Sequence, residues 1–137
     1  MPSSTAVVNT GRAIITNRIT GSGTEPKYIG VGTGATAGSS TVALTDTALT
    51  TEVDSRVTGT SSRTTAAGGT TNDTYQVTGT FTCGATSRTI TEVGLFDSAT
   101  VAGSTMFVRG VLNTAATLTN GDSVALTFTV QVTSSVV

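Results

Sequence analysis

Ser123-Val124-Ala125-Leu126-Thr127-Phe128-Thr129-Val130-Gln131-Val132-Thr133 is the stretch that decides the fold. Val124, Leu126, Phe128, Val130 and Val132 face one way, and Ala125, Thr127, Thr129, Gln131 and Thr133 face the other. Strict alternation over such a run is the mark of a strand buried on one side only. Asn120-Gly121-Asp122, just before it, is a tight-turn signal.

The same period recurs upstream. Tyr75, Val77, Gly79, Phe81 and Cys83 alternate with Gln76, Thr78, Thr80 and Thr82. Ile90 to Phe96 and Thr105 to Leu112 read as two further strands, and Lys27 to Val31 as a short one after Pro26. Val53 to about Thr65 is expected as a strand that ends in a turn or long hairpin tip, from Gly68-Gly69 through Asn72-Asp73. Leu44, Leu49 and Val53 are expected as apolar anchors before Arg56. Six or so strands with Gly-rich turns, apolar inside and hydroxyl outside, indicate a β-sandwich of jelly-roll-like kind. Val-Thr-Gly-Thr occurs at 57–60 and again at 77–80, as coincidence or as two neighbouring strands with similar packing.

The first twenty residues read differently. Val7, Val8, Gly11, Ile14, Ile15 and Ile19 recur at helical spacing, with Asn9, Arg12 and Asn17 on other faces. One short amphipathic helix is expected at about 4–20, capped by Ser4 or Thr5 and stopped at Gly21-Ser22-Gly23. An extended N-terminal arm is the alternative.

The chain of 137 residues suits one β-sandwich domain spanning 1–137, including that arm or helix. Thr (33), Ser (14) and Gly (16) dominate it, whereas charged residues make up only 11%. An average soluble domain carries roughly 25% charged residues. Disorder would require low hydrophobicity and high net charge, but mean hydropathy is +0.18 and net charge −1.

Composition also excludes chemistry. With no His and one Cys, Cys83, one chain cannot assemble the usual zinc, haem or iron–sulfur ligand sets, a Ser-His-Asp site or an internal disulfide. Seven scattered basic residues make no footprint for nucleic acid or an anionic membrane. The longest apolar runs, such as Ala13-Ile14-Ile15, span no bilayer. Met1-Pro2-Ser3-Ser4-Thr5 lacks the features of a signal peptide, so use without Sec export is expected.

Three patterns suggest sites. Gly32-Thr33-Gly34-Ala35-Thr36-Ala37 follows a strand like a dinucleotide fingerprint, with Glu52 and Asp54 nearly twenty residues on. Such a loop needs a helix N-terminus to receive pyrophosphate, and Gly38-Ser39-Ser40-Thr41 will not start a helix. It is read as structural, with no cofactor. Glu52, Glu92 and Asp97 could pair as glycosidase carboxylates. Glu92, however, lies in an apolar strand and needs a partner such as Arg56 or Arg109 to offset desolvation. Asn72-Asp73-Thr74 matches a glycosylation acceptor and is read as turn chemistry. Cys83 is in phase with Val77 and Phe81 and is read as a small core residue. No catalytic, cofactor-binding or metal-binding residue is assigned, and no interface residue is fixed.

The outer strand faces carry Thr and Ser in place of Lys and Glu. Free-standing domains suppress association with charge, and edge strands with Lys or Pro; here both devices are scarce. A subunit mostly covered by neighbours is expected. The N-terminal arm-helix and the loops at 32–41 and 66–73 are the candidates for reaching them.

The order of features carries a resemblance: Asn9-Thr10-Gly11-Arg12, Tyr28-Ile29-Gly30-Val31-Gly32-Thr33-Gly34, Thr47-Ala48-Leu49-Thr50-Thr51-Glu52-Val53 leading to Arg56, then Ile90-Thr91-Glu92-Val93-Gly94-Leu95-Phe96-Asp97, Met106-Phe107-Val108-Arg109 and Asn120-Gly121-Asp122. The chain resembles small structural proteins of tailed bacteriophages, most of all capsid cement (decoration) proteins. That resemblance implies a non-enzymatic virion protein, made in the host cytoplasm and seated on the capsid surface as a dimer or trimer. It would bind across neighbouring major capsid protein subunits, with no nucleic acid, membrane or small-molecule substrate as partner. A tail-fibre or baseplate component is the alternative.

Overall fold

The computed structural model describes residues 2–84 and 86–134. Eight strands and one helix follow in chain order: β1 (Pro2–Val7), α1 (Asn9–Ile19), β2 (Tyr28–Gly32), β3 (Glu52–Thr58), β4 (Thr60–Thr64), β5 (Thr74–Thr82), β6 (Ser87–Phe96), β7 (Met106–Thr119) and β8 (Ser123–Gln131). They form two antiparallel sheets, one ordered β1-β7-β6-β2-β3 and the other β4-β5-β8. The expected β-sandwich with one short N-terminal helix is what forms.

The inner core lies between the sheets. Ile29 and Val31 of β2, Val93 and Leu95 of β6, and Val108 of β7 meet Val77 and Phe81 of β5 and Phe128 of β8. Burying such side chains contributes about 1.5–3 kcal/mol each. The five-stranded sheet is buried on its other face too. There Val8, Leu49, Phe96 and Met106 cluster, with Tyr28 and Val42 against them, beneath the long segment between β2 and β3. This second layer explains why β6 is buried without a break from Ile90 to Phe96, as strands covered on both faces are.

Several boundaries differ from expectation. Residues 2–7 are a strand, because β7 offers them an open edge: Thr5 pairs with Gly110 and Val7 with Val108. The helix therefore starts at Asn9, capped by the extended Val8 without any side-chain hydrogen bond from Ser4 or Thr5. Gly11 and Ile14 are its buried residues, and a Cβ on Gly11 would lie 2.5 Å from the Phe107 carbonyl oxygen. Ile19, expected on the apolar face, is 80% exposed. Leu44, expected as an anchor, is exposed; its carbonyl is what the fold uses, accepting from the Asn9 N–H at 2.7 Å. β7 runs past Leu112 because Ser87 to Ile90 pairs with its far end across a bulge. β8 ends at Gln131, leaving Val132 exposed.

The expected strand from Val53 to Thr65 is two strands in different sheets, β3 and β4, divided at Gly59. Period-two alternation continues through such a corner and does not reveal it. Gly59 is required there, because a Cβ would come within 2.5 Å of Val77 Cγ1 and 3.0 Å of the Thr78 carbonyl. The two Val-Thr-Gly-Thr segments are neighbours at this corner: Thr60 pairs with Thr78, and the Gly79 Cβ position lies 3.5 Å from Gly59 Cα.

Candidate functional site

Glu92 is placed mid-strand on β6, between Gly32 of β2 and Val111 of β7. Gly32 leaves the room the carboxylate needs, since a Cβ there would be 2.7 Å from Glu92 Oε1. No part of Glu92 is exposed. Its oxygens accept from the N–H groups of Gly34 (3.2 Å), Thr50 (3.0 Å) and Thr51 (3.0 Å), and from Arg109 Nη2 at 2.6 Å. Arg109 also donates to Asp46 Oδ2 at 2.7 Å and to Thr50 Oγ1 at 2.8 Å. One buried carboxylate thus ties both ends of the segment between β2 and β3 to the sheet, and its arginine ties the middle.

The Gly-rich loop, read as structural, gives one N–H, that of Gly34, to an anion, and the anion is the chain's own Glu92. Burial alone would raise the Glu92 pKa; the N–H groups of Thr51 and Thr50, with Arg109, outweigh it and hold the carboxyl below its ordinary range. For Arg109, burial pulls the other way, and Asp46 and Glu92 raise its pKa despite that.

Glu52 lies on the far side of Gly32 from Glu92, so the structure brings these two acids to neighbouring positions. Glu52 is held by Arg56 through bonds of 2.6 and 2.9 Å. Arg56 also donates to the carbonyls of Ser98 and Thr100, and its guanidinium sits 3.4 Å above the Phe96 ring. Asp97 stands apart, accepting from the Thr105 N–H at 2.7 Å at the base of the β6–β7 turn. Asp54, in the left-handed region at φ 59°, pairs with Arg88, raising the arginine's pKa.

The remaining acids are held as well. Asp73 accepts from the Ala66 and Thr70 N–H groups, Thr74 and Gln131, which with Asn72 at φ 60° closes the turn just ahead of Thr74, the first residue of β5. The Ala66 N–H, then Gln131 and Thr74, lower its pKa to about 2. Asp122 is lowered by the N–H and hydroxyl of Thr119, closing the β7–β8 turn. Glu25 lies 3.8 Å from Lys27. Cys83 is buried in the inner core, its thiol 3.9 Å from the Leu118 carbonyl oxygen.

Compared with known proteins, the chain matches no family model, no curated sequence and no solved structure. Function must be read from the surface.

With the acids drawn into internal pairs and turns, the outer face of the three-stranded sheet is uncharged. Register places Thr60, Thr78 and Thr127 in one row and Ser62, Gln76 and Thr129 in the next. Thr80 beside Ala125 and Thr82 bonded to Ser123 at 2.7 Å lie at one end, and Thr64, Thr74 and Gln131 at the other, where Thr74 and Gln131 donate to the Asp73 carboxylate at the rim. Of the segments expected to reach neighbours, the N-terminal arm is strand β1 on the chain's own sheet. The 32–41 loop is held to the sheet through Gly34 and through the Gly38 N–H to the Leu112 carbonyl. The 66–73 tip projects, with nothing within 4 Å of a Cβ on Gly68. Asp46, Thr50 and Thr51 carry no sequence signal for their part, because their partners are tens of positions away.

Proposed function

We propose that this chain is a non-enzymatic structural subunit of a virion, a cement protein that binds across neighbouring major capsid protein subunits on the shell and associates with itself as a dimer or trimer. The uncharged Thr/Ser/Gln/Ala face of the β4-β5-β8 sheet carries this reading. Covering such a face strips no charge of its water, and Thr loses less conformational freedom on burial than Lys or Glu. The carboxylates bonded into arginines and backbone N–H groups are held in place, which suits a rigid part more than an acid–base site. A subunit that binds only the mature lattice stabilises it by mass action, each copy opposing the pressure of packed DNA.

Cryo-electron microscopy of particles with and without this protein tests the proposal. Cementing predicts density over the seams between capsid subunits and lower resistance to heat and osmotic shock when the protein is removed. Density at the tail would replace this reading with a tail-fibre or baseplate role, and unchanged resistance would overturn cementing.

A further inference from the structure

We infer that the free edge of β8, with the groove beside it, is an acceptor site for one extended, uncharged segment of a partner protein, which adds to the three-stranded sheet as a fourth strand. The inference deepens the structural-subunit reading and rests on it only in taking the partner to be a protein.

Four edge strands end the two sheets: β1, β3, β4 and β8. β1 carries Pro2, β3 carries Glu52, Asp54 and Arg56, and β4 carries Arg63. Charge and proline are how edges avoid unwanted pairing. β8, Ser123–Gln131, has neither, and it pairs with β5 along its whole length without a bulge. Its other side offers a regular ladder of backbone donors and acceptors.

Beside that edge runs a groove of about 530 Å³. Its wall is the middle of β8 around Phe128, and its floor is Thr5, Val93, Val108, Gly110 and Leu112 of the five-stranded sheet. Thr5, Gly110 and Val93 are register partners and so share the inner face of the sandwich. Thr5 is nevertheless exposed. At Thr5 the five-stranded sheet therefore extends past β8 with no described residue covering it, and one strand position in the upper layer stands open there. Residues 125–129 line it, which is about 17 Å of strand at the usual rise.

The occupant follows from three features. The ladder along β8 calls for an extended backbone. Alternate side chains of that strand would point down onto an apolar floor, so they are small or β-branched apolar groups. No lining residue is charged, and an unpaired charge buried there would be costly, so the segment is uncharged. The overhang also argues against a second copy paired β8 to β8. Sheets stack about 10 Å apart, and a two-fold pairing would drive both β1–β7 strips into the same space. A lone segment, such as a terminal arm or loop of a partner, fits without that collision.

The test uses the isolated whole chain and a displayed library of random nine-residue peptides, selected on the wild type. Thr5→Arg, which puts a charge in the groove from an exposed position, is the comparison, with its urea midpoint confirming that it folds. The expected result is enrichment of uncharged peptides with β-branched residues at alternate positions. They bind Thr5→Arg roughly tenfold more weakly or worse, and on the wild type they slow amide exchange in 123–131. No enrichment, or peptides that bind both proteins equally or protect other amides, would overturn the acceptor site. A chain that already sediments as a dimer with β8 protected, and that Thr5→Arg converts to monomer, would make a second copy the occupant and overturn the separate partner. Failure in any of these ways concerns β8 alone, whereas the particle reconstruction decides the virion role separately.

Discussion

Arg109 reaches Glu92 diagonally across two neighbouring strands: Glu92 is paired with Val111 and Arg109 with Gly94, yet their side chains meet at 2.6 Å. Diagonal neighbours are within reach of long side chains, and here the reach joins a wholly buried carboxylate to a nearly buried guanidinium. Breaking a buried pair from one side leaves an uncompensated charge and costs about 3–5 kcal/mol, while replacing both partners with apolar groups can be close to neutral. Glu92→Gln is therefore expected to lower stability by about 3–5 kcal/mol in urea unfolding. It should also expose the segment between β2 and β3 to limited proteolysis, since Glu92 holds Gly34, Thr50 and Thr51. Here the double variant Glu92→Met with Arg109→Met is expected to stay well below wild type, because the N–H groups of Gly34, Thr50 and Thr51 and the Asp46 carboxylate lose their partners. A Glu92→Gln protein with wild-type stability and protease resistance would show that the buried pair does not hold the segment.

Acid should unfold the protein through its lowered carboxyls. Asp73 falls from the ordinary 3.8 to about 2, through the Ala66 N–H first and then Gln131 and Thr74, and Glu92 and Asp122 are also lowered. A carboxyl with a lower pKa in the folded state adds stability that is fully present above its unfolded pKa and lost as pH falls through the folded value. The urea midpoint is thus expected to be flat above about pH 5 and to drop between about pH 4 and 2. Asp73→Asn should be less stable than wild type at neutral pH and should show a shallower acid decline. A midpoint that rises on acidification would contradict these assignments.

Two glycines separate steric from conformational demand. Gly59→Ala would press a methyl to 2.5 Å from Val77 Cγ1 and 3.0 Å from a backbone oxygen, and overpacking of this kind costs about 1–3 kcal/mol. Gly68 is at φ +74° with nothing within 4 Å. Gly68→Ala therefore carries only the left-handed backbone penalty, about 1 kcal/mol. Thermal or urea unfolding of the two variants should rank Gly59→Ala as the more destabilised. The reverse ranking would mean that the corner between the sheets yields easily.

These comparisons mark what the residues disclose in advance. β5 and β8 were legible because one face of each meets solvent, so Thr alternates with Val and Phe. β6 was legible as a strand but not as a doubly covered one, because the second layer comes from Leu49 and Val42 in an irregular segment. β1 was hidden: Pro2 to Val7 has little strand character of its own and becomes a strand through the open edge of β7. The need of Glu92 for an arginine could be deduced from desolvation, and Arg109 was one of two choices. That Asp46 would share the same guanidinium could not, because alternation says nothing about how a loop returns to a sheet. The β8 groove escaped for a related reason. It depends on how far one sheet outruns the other.

Cys83 supplies a probe of the whole sandwich. It is 1% exposed, packed with Phe81 and Leu118 in the inner core. A thiol so placed reacts only when the structure opens around it, so iodoacetamide labelling should be slower than in the urea-unfolded chain by at least about 10³-fold, given ordinary domain stabilities. If the opening is global, Glu92→Gln should speed labelling by the factor that its stability loss sets, about 10²-fold or more for 3 kcal/mol, although residue 92 lies on the opposite face of the sheet from that core. If Cys83 is instead released by fraying of the β5 end near the β7–β8 turn, Glu92→Gln would leave the rate unchanged while Asp122→Ala, which removes the acceptor of the Thr119 N–H and hydroxyl, would raise it. Labelling rates of the two variants therefore decide whether the buried ion pair and the core on the other face of the sheet unfold as one cooperative unit.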